Sequence, residues 1–325
     1  MSKDEGATVT LNRVSVVIPA YKVTQHILNV IDSIGPEVSN IYVVDDACPD
    51  GSGSLVSTKC LDKRVEVLTH SENQGVGGAV VTGYRAALNA GSDIVVKVDG
   101  DGQMDPKMIG DLIKPIQEGN ADYTKGNRFD SIVGLREMPG VRVLGNGALS
   151  LMSKISSGYW NITDPTNGFT AIHKDLLKAM PLDMLSKRFF FESDVLYRLS
   201  VMRAVVWDVP MEARYGNEKS NLSVFKALFE FPGKHFVRFH KRLFYNYYLR
   251  DMSAASLELP LGAALGWFGF IFGVNRFAES LATGIPATAG TVMLSAVPVI
   301  LGFQLVLAFL SYDIASVPKR VKHKK

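Results

Sequence analysis

Two long apolar segments near the carboxyl end constrain the architecture of this chain more than any other feature. Residues 257–275 form a run of 19 residues with one charge, Glu258, at its edge, and residues 288–315 contain no charge before Asp313. A helix rises about 1.5 Å per residue, so the shorter run would span about 28 Å, enough to cross the hydrocarbon core of a bilayer. A buried helical hairpin of a soluble protein is the alternative, but both runs exceed ordinary core helices. We therefore expect two transmembrane helices within residues 253–317.

Basic residues flank these two segments on both sides. Residues 234–250 read KHFVRFHKRLFYNYYLR and residues 319–325 read KRVKHKK, whereas the connection between the segments is almost uncharged. The positive-inside rule places both flanks in the cytoplasm. The aromatic and basic side chains within residues 225–252 suit helices that lie in the membrane interface, although helices packed on the rest of the protein would look the same. Residues 318–325 are predicted to form a basic cytoplasmic tail.

The remaining part, residues 1–224, has the sequence pattern of a soluble α/β domain, because its apolar runs are short and end at Gly, Pro or Asp. The pattern predicts strands at 14–21, 40–47, 65–70 and 93–99, with helices at 24–34 and 75–91. Near-continuous apolar strands that alternate with helices indicate a Rossmann-like, mostly parallel sheet covered on both faces. Ligands of such sheets bind beyond the carboxyl ends of the strands.

Polar side chains follow the predicted strands at those ends. They are Tyr21, Asp45, Asp46, Asp99 and Asp101. Asp101 and Gln103 supply hard oxygen ligands, which suit Mg²⁺ or Mn²⁺. Magnesium binds through few protein groups and completes its shell with substrate phosphates. The Asp-x-Asp-x-Gln pattern therefore predicts a metal site for a diphosphate ligand, with a solvated acidic turn as the alternative.

Two other motif interpretations fail on single positions. The glycine-rich residues 73–79 would form a dinucleotide fingerprint only with a glycine where Val80 stands, and they follow the third strand rather than the first. An EF-hand loop starting at Asp99 would need glycine and glutamate where the chain has Met104 and Gly110.

Six segments give the chain a family resemblance. VSVVIPAY, VVDDACPDGS, NQGVGGA, VDGDGQMDP, GNRF and DPTNGFTAI occur in the order seen in family 2 glycosyltransferases with the GT-A fold. With the two C-terminal apolar segments, the chain resembles bacterial polyprenyl-phosphate glycosyltransferases, relatives of dolichyl-phosphate mannose synthase. The resemblance implies transfer of a sugar, with inversion, from a nucleotide diphosphate sugar to polyprenyl (undecaprenyl) phosphate for surface glycan assembly or modification. It also implies Mg²⁺ or Mn²⁺ as cofactor, favours a UDP-linked donor, and implies a bacterial inner membrane as the location.

The resemblance carries roles to individual positions on the donor side. Pro19, Ala20 and Tyr21 would line the nucleotide, Asp46 would lie near the base, Asp99 near the ribose or diphosphate, and Asp101 with Gln103 would hold the metal. Two stretches depart from the family pattern. Relatives commonly read Pro-Ala-Tyr-Asn-Glu where this chain has Lys22 and Val23, and Asp-Asp-Gly-Ser where it has Ala47 and Cys48.

The acceptor side is implied in the same way. The lipid phosphate would meet Arg128, Arg142, Arg214 and Lys219, and Arg128 and Arg214 would also take part in catalysis. Asp164 occupies a position that relatives assign to catalysis or to orienting the acceptor, although an Asp before Pro commonly opens a turn. Glu192 and Asp194, at the start of a predicted helix, are secondary site candidates.

Two other functions stay open at this point. The protein could transfer sugar to a hydroxyl of a lipid-linked or polymeric glycan, which would require a strong general base, or it could be a non-catalytic membrane protein that binds nucleotide. The expected partners are the nucleotide sugar, the polyprenyl phosphate and the bilayer, with no nucleic acid. The oligomeric state, a homo-oligomer included, is left open.

Overall fold

The computed structural model describes residues 12–130, 140–212 and 224–323, without the side chains of 140–144, 146 and 224–229. These residues form two compact units. The first contains the described residues up to Arg238 together with those from Pro318 onward, and the second is Phe239–Val317. The chain thus leaves the first unit, builds the second, and returns to the first with its C-terminal tail.

The first unit alternates strands and helices, as predicted. The strands are β1 (Val14–Ala20), β2 (Val38–Asp45), β3 (Val65–Thr69), β4 (Ile94–Lys97), β5 (Tyr123–Asn127), β6 (Thr170–His173) and β7 (Val206–Pro210). The helices are α1 (Ile27–Asp32), α2 (Ser52–Lys59), α3 (Val76–Asn89), α4 (Ile109–Gln117), α5 (Gly140–Ser157), α6 (Lys174–Ala179), α7 (Phe191–Val201) and α8 (Val224–Phe244), the last of which continues into the second unit. The helix predicted at 24–34 is therefore shorter than expected. Short 3₁₀ helices cover Pro106–Met108 and Leu182–Met184.

The sheet has seven strands in the order β3-β2-β1-β4-β6-β5-β7. Neighbouring strands run parallel except at β6, which is antiparallel to both β4 and β5. This mostly parallel arrangement confirms the predicted fold class. Because β6 runs the other way, its first residues lie at the edge of the sheet where the parallel strands end.

Both faces of the sheet are covered, which explains why the central strands have no polar alternation. Val16 and Ile18 of β1 pack in one apolar cluster with residues of α1 and α4, and both are fully buried. Val17 faces the opposite side, where α3 lies so close that a Cβ on Gly83 would come within 2.3 Å of the Val17 side chain. Burying each such aliphatic side chain contributes about 1.5–3 kcal/mol. The glycine lets the helix approach this closely.

The second unit is dominated by two long helices, α9 (Ala254–Thr283) and α10 (Ala289–Ala315). Their most apolar windows are only 11% buried, and both helices are long and apolar enough to cross a membrane. The two helices touch through small residues, since a Cβ on Gly302 would lie 2.6 Å from the carbonyl oxygen of Gly262. Such close backbone contact is typical of helix pairs in lipid. The predicted pair of apolar helices is confirmed.

A buried ion pair stabilises the base of this second unit. Asp313, the first charge in the second apolar segment, accepts from the guanidinium of Arg242 at 2.6 and 3.0 Å and from the hydroxyl of Tyr247 at 2.6 Å. Arg242 lies in the last turn of α8 and Tyr247 in the π-helical turn Tyr245–Arg250. A carboxylate beside a membrane segment is costly unless it is paired. The pairing explains how α10 accommodates its acidic residue.

Candidate active site

The edge of the sheet at which the parallel strands end is called here the carboxyl edge. The polar residues that the sequence placed after strands β1, β2 and β4 all lie along it, because these three strands are adjacent and parallel. The antiparallel β6 adds its preceding loop, residues 164–168, to the same edge. Arg128, which follows β5, also lies there. The carboxyl edge therefore gathers acidic and basic side chains that are far apart in sequence.

The predicted metal ligands sit in a tight turn after β4. Asp99, Asp101 and Gln103 are all half-buried, and a carboxylate oxygen of Asp101 accepts from the Gln103 amide at 3.1 Å. Gly102 between them has φ of 77°, a conformation that glycine adopts at little cost. The backbone thus folds the two oxygen-bearing side chains of 101 and 103 into one short loop.

The donor set of this turn fits a divalent cation that takes few protein ligands. Carboxylate and amide oxygens suit Mg²⁺ or Mn²⁺. Within the described ranges, no three His, Cys, Asp or Glu side chains come together as a complete metal cage. A cation here would therefore take its remaining ligands from water and phosphate, which is the ordinary habit of Mg²⁺.

A buried lysine that the sequence reading missed lies directly behind this turn. The side chain of Lys97 is 1% exposed, and its ammonium donates to Asp99 at 2.7 Å and to Glu192 at 3.1 Å. Burial alone would lower the pKa of Lys97, but the two carboxylates outweigh it and raise that pKa above its ordinary value. The signal in the sequence was a single lysine inside the otherwise apolar strand β4. Glu192, a secondary candidate, is thus connected to the site through Lys97.

Gly168 brings the loop before β6 against this ion pair. A Cβ on Gly168 would lie 2.3 Å from an oxygen of Asp99 and 2.4 Å from the ammonium of Lys97. Real Cβ atoms do not approach other atoms so closely, so only glycine allows this contact without a shift. The loop therefore encloses the Lys97–Asp99 pair from the side of β6.

Asp164 and Arg128 form a two-pronged ion pair at the carboxyl edge. The guanidinium donates to the two carboxylate oxygens at 2.7 and 2.9 Å, and the Arg128 amide donates to the same carboxylate at 3.3 Å. Asp164 is completely buried, whereas Arg128 is 27% exposed. Because both carboxylate oxygens contact the guanidinium, this geometry suits a residue that orients Arg128 better than one that accepts a proton.

Two further titratable groups lie near this pair. Lys125 of β5 is buried and donates to the carbonyl of Asn167, and burial lowers its pKa to about 8. Asp208 of β7 accepts from the Thr163 amide at 2.8 Å, and burial raises its pKa to about 6. Lys125 directly precedes the GNRF segment, but the family resemblance assigned no role to it or to Asp208.

Asp46 is buried and holds the glycine-rich loop in place. Its carboxylate accepts from the ring of His70 at 2.8 Å, from the Gln74 amide at 2.8 Å and from the Gly75 amide at 2.7 Å. Asp45 does the same for the start of α2, accepting from the Gly53 amide at 2.6 Å. The glycine-rich segment is therefore part of the site's frame, and a contact of Asp46 with a nucleotide base stays a prediction.

The loop after β1 carries the other predicted nucleotide contacts. Pro19 is half-buried, Ala20 is buried, and Tyr21 is 40% exposed at the carboxyl edge.

The two stretches that depart from the family pattern each contain a residue with a left-handed backbone. Lys22 has φ of 58° and Ala47 has φ of 52°. Left-handed backbone is unfavourable for residues other than glycine and asparagine.

The remaining candidates fall into two groups. Asp194 pairs with Arg238 of α8 at 2.7 Å and accepts from the Ser186 amide at 3.0 Å, so it links α7 to its neighbours. Arg214 and Lys219 lie outside the described residues. Arg142 lies within α5, but its side chain is also outside the description.

Comparison with known proteins agrees with the architecture. Residues 15–180 match the family model described as glycosyl transferase family 2. An undecaprenyl-phosphate mannosyltransferase of Micrococcus luteus is 31% identical over 212 residues, 61% of this chain and 82% of that protein. A polyprenol monophosphomannose synthase of Mycolicibacterium smegmatis is 28% identical over 238 residues, 70% of this chain and 89% of that protein.

Two further matches are a transferase for a different sugar and a solved structure. A UDP-N-acetylglucosamine–dolichyl-phosphate N-acetylglucosaminyltransferase of Methanococcus voltae is 29% identical over 213 residues, 61% of this chain and 84% of that protein. Among solved structures, glucosyl-3-phosphoglycerate synthase from Mycobacterium tuberculosis, in complex with Mn²⁺, UDP and glucosyl-3-phosphoglycerate, superimposes with a TM-score of 0.53 at 19% identity. That match covers 74% of this chain and 86% of the synthase, and it supports the GT-A-like fold.

Proposed function

Because the chain belongs to glycosyl transferase family 2, we propose that it transfers a sugar from a nucleotide diphosphate sugar, UDP-linked, to undecaprenyl or a related polyprenyl phosphate. The relatives named above are transferases for polyprenyl-phosphate or dolichyl-phosphate acceptors. Two helices of membrane-spanning length and composition suit a lipid acceptor, whose chain lies in the bilayer. The product would be a polyprenyl-phosphate sugar for surface glycan assembly or modification.

One observation carries the choice of acceptor. Three carboxylates at the carboxyl edge are held in ion pairs, Asp164 with Arg128 and both Asp99 and Glu192 with Lys97. A hydroxyl acceptor would need a carboxylate ready to take its proton. A phosphate acceptor is already anionic near neutral pH, so it needs cations and correct placement rather than a base. These three carboxylates are less suited to take a proton, which favours a phosphate acceptor, whereas a hydroxyl acceptor would have to use another acid such as Asp208.

On the donor side, Asp101 and Gln103 would hold Mg²⁺ or Mn²⁺. The cation, when bound, would neutralise the diphosphate leaving group. Tyr21 offers an exposed ring for stacking on the base, and Asp99 directly precedes the turn that carries the metal ligands. We keep Pro19, Ala20 and Asp46 as the other parts of this nucleotide site.

On the acceptor side, Arg128 is proposed to bind the lipid phosphate. Asp164 holds the guanidinium plane by two hydrogen bonds, so its orientation is fixed before the acceptor arrives. Arg142, Arg214 and Lys219 are proposed to complete the phosphate site on the basis of the family pattern alone.

The reaction then needs no proton transfer. An oxygen of the ionised lipid phosphate forms a bond to the anomeric carbon from the face opposite the leaving group. The bond between the anomeric carbon and the donor's phosphate oxygen breaks, and the nucleoside diphosphate leaves with the electron pair. The configuration at the anomeric carbon is inverted.

A panel assay tests the proposal. Purified protein in detergent with Mn²⁺ is incubated with UDP- and GDP-linked sugars and with undecaprenyl phosphate, or with a lipid-linked glycan that presents only hydroxyl acceptors. We expect turnover with the lipid phosphate alone, giving a product of inverted anomeric configuration. Transfer to the glycan but not to the lipid phosphate would replace the acceptor class, and no turnover of any sugar nucleotide would revive a purely nucleotide-binding role.

We also propose that residues 253–317 form a transmembrane hairpin with both flanks in the cytoplasm, next to a catalytic domain at 1–224 and interfacial helices at 225–252. A chain that crosses the membrane twice returns to the side from which it started. This agrees with the tail residues from Pro318 onward, which belong to the first unit. The flanks carry the basic residues, as the positive-inside rule requires. A cysteine introduced at Thr283 should react with an impermeant label added to intact cells, whereas one at position 325 should not. The reverse pattern would overturn this orientation.

A further inference from the structure

Lys97 is the strongest group that the family pattern and the proposed chemistry leave unused. It is fully buried at the end of β4, and its ammonium binds two carboxylates that are 93 residues apart, those of Asp99 and Glu192. The three side chains together carry one net negative charge. Within this cluster, Asp99 lies two residues before Asp101 of the metal turn.

The charge of this cluster matters because the proposed ligand is itself a polyanion. Two carboxylates without the ammonium would repel each other and would repel a diphosphate bound beside Asp99. Removing one partner from a buried ion network also leaves an uncompensated charge, which is much costlier than removing an exposed ion pair.

Two other elements of the chain restrict the position of the Lys97 ammonium. Gly168 leaves no space beside Lys97 and Asp99, since a Cβ there would lie 2.4 and 2.3 Å from the ammonium and the carboxylate. Glu192 enters from the first turn of α7, where the helix dipole also favours an acidic side chain. Three separate elements therefore hold one lysine side chain against Asp99.

We propose that Lys97 is a positioning residue of the donor site: it holds the Asp99 carboxylate toward the nucleotide sugar and offsets the charge of Glu192, which would otherwise oppose binding of the diphosphate. The inference rests on the proposed donor site. It goes beyond that site in giving Lys97 and Glu192 a role in nucleotide affinity through Asp99.

The test uses the full-length protein in detergent, with UDP and GDP each titrated calorimetrically in the presence of Mn²⁺. The variants are Lys97→Met, Glu192→Gln and the double variant. The matched control is Lys174→Met, because Lys174 makes a lysine–aspartate pair with Asp93, at 2.5 Å, at the other end of β4 and β6. Thermal unfolding of each variant reports whether it folds.

We expect Lys97→Met to weaken nucleotide binding by about tenfold to a hundredfold, the range for a lost charge-assisted contact. Adding Glu192→Gln restores the net charge of the cluster and should recover part of the affinity. A role in packing alone would not be rescued by a substitution that removes another contact. Lys174→Met should bind nucleotide as the wild type does.

Three results would overturn the inference: a folded Lys97→Met protein that binds nucleotide within about twofold of the wild type, a double variant no better than the single one, or an equal loss in Lys174→Met. If Lys97→Met does not fold, Glu192→Gln alone decides. Tighter binding supports the charge offset, and equal or weaker binding contradicts it. A wild-type protein that binds neither nucleotide contradicts the proposed donor site instead.

Discussion

The two edges of the sheet hold buried carboxylates in different ways. At the edge opposite the carboxyl edge, called here the amino edge, Asp122 is completely buried and accepts from the amides of Val205, Lys322 and His323 and from the ring of His323. These donors come from the residue before β7 and from the C-terminal tail. At the carboxyl edge backbone amides also hold Asp45 and Asp46, but Asp99 and Asp164 are held by the charged side chains of Lys97 and Arg128.

The difference separates stability from ligand binding. Backbone amides at the amino edge satisfy Asp122 and tie the tail to the sheet, so that edge is closed by the chain itself. The carboxyl edge concentrates ionised groups of both signs around a short loop with hard oxygen ligands, an arrangement that suits a charged ligand. Substitutions at the carboxyl edge should therefore alter activity more than stability, and those at the amino edge should do the reverse.

The largest effect is expected at the predicted metal turn. Asp101→Asn should lower turnover by about a hundredfold or more, since a divalent cation contributes several kcal/mol to stabilising a charged leaving group. Excess chelator should do the same to the wild type. The midpoint of thermal unfolding of Asp101→Asn should stay close to that of the wild type.

Asp93→Asn is the matched control at the amino edge, because Asp93 binds Lys174 and the Arg13 amide and lies at the start of β4. It should lower the unfolding midpoint while turnover per folded molecule is retained. Full turnover of Asp101→Asn, or of the wild type in excess chelator, would remove the metal from the proposal.

The carboxyl edge was largely predictable from the sequence, because strand ends follow directly from apolar runs that stop at Asp or Pro. The pair of long apolar helices was equally clear, since no other segments are so long and uncharged. The link between Lys97 and Glu192 was not predictable, because it depends on how α7 packs against β4. The antiparallel direction of β6, which brings Gly168 to Asp99, and the docking of the tail on Asp122 likewise depend on tertiary structure.

The next effect concerns Arg128. Arg128→Ala should reduce efficiency with the lipid phosphate by about tenfold to a hundredfold while nucleotide affinity changes little, because a charge-assisted contact is worth about 1.5–3 kcal/mol. Arg128→Lys should recover only part of this, since an ammonium cannot make the two-pronged contact with Asp164. Separate kinetics for donor and acceptor measure the split.

Arg85→Ala is the control. Arg85 forms an exposed ion pair with Asp183, with an N–O distance of 2.5 Å, and takes no part in the proposed site. Its kinetics should match those of the wild type. Loss of donor affinity with normal acceptor kinetics in Arg128→Ala would reverse our assignment of the two subsites.

A smaller effect is expected from adding one methyl group at Gly168. Gly168→Ala must displace Asp99 or Lys97, and overpacking of this kind costs about 1–3 kcal/mol. Nucleotide affinity should fall by about tenfold or less as Asp99 shifts. Gly110→Ala, where no atom lies within 4 Å of the added Cβ, should leave nucleotide affinity unchanged and should not lower stability, since alanine is favoured over glycine in a helix such as α4. Equal behaviour of the two variants in calorimetry would show that the close contact is unimportant.

The smallest effect belongs to the amino edge and depends on pH. The rings of His173 and His323 stack with their centroids 4.1 Å apart, and burial, followed by the neighbouring His323, lowers the pKa of His173. Three other charged groups act on this ring. The carboxylates of Asp175 and Asp122 raise the pKa of His173, and the ammonium of Lys174 lowers it.

The sign of the effect follows from that lowered pKa. Docking of the tail keeps His173 neutral, whereas an undocked His173 would titrate near the ordinary value of about 6.5. The docking energy is therefore fully present above that pH and is lost as the pH falls toward the lowered pKa of His173. Hydrogen exchange at the C-terminal peptide, corrected for the intrinsic pH dependence of exchange, should increase a few-fold between neutral and mildly acidic pH. His173→Asn cannot titrate, so its exchange should lose this extra pH dependence. An identical pH response in the variant would mean that the histidine pair does not control the tail, and the amino edge would then be held by the Asp122 contacts alone.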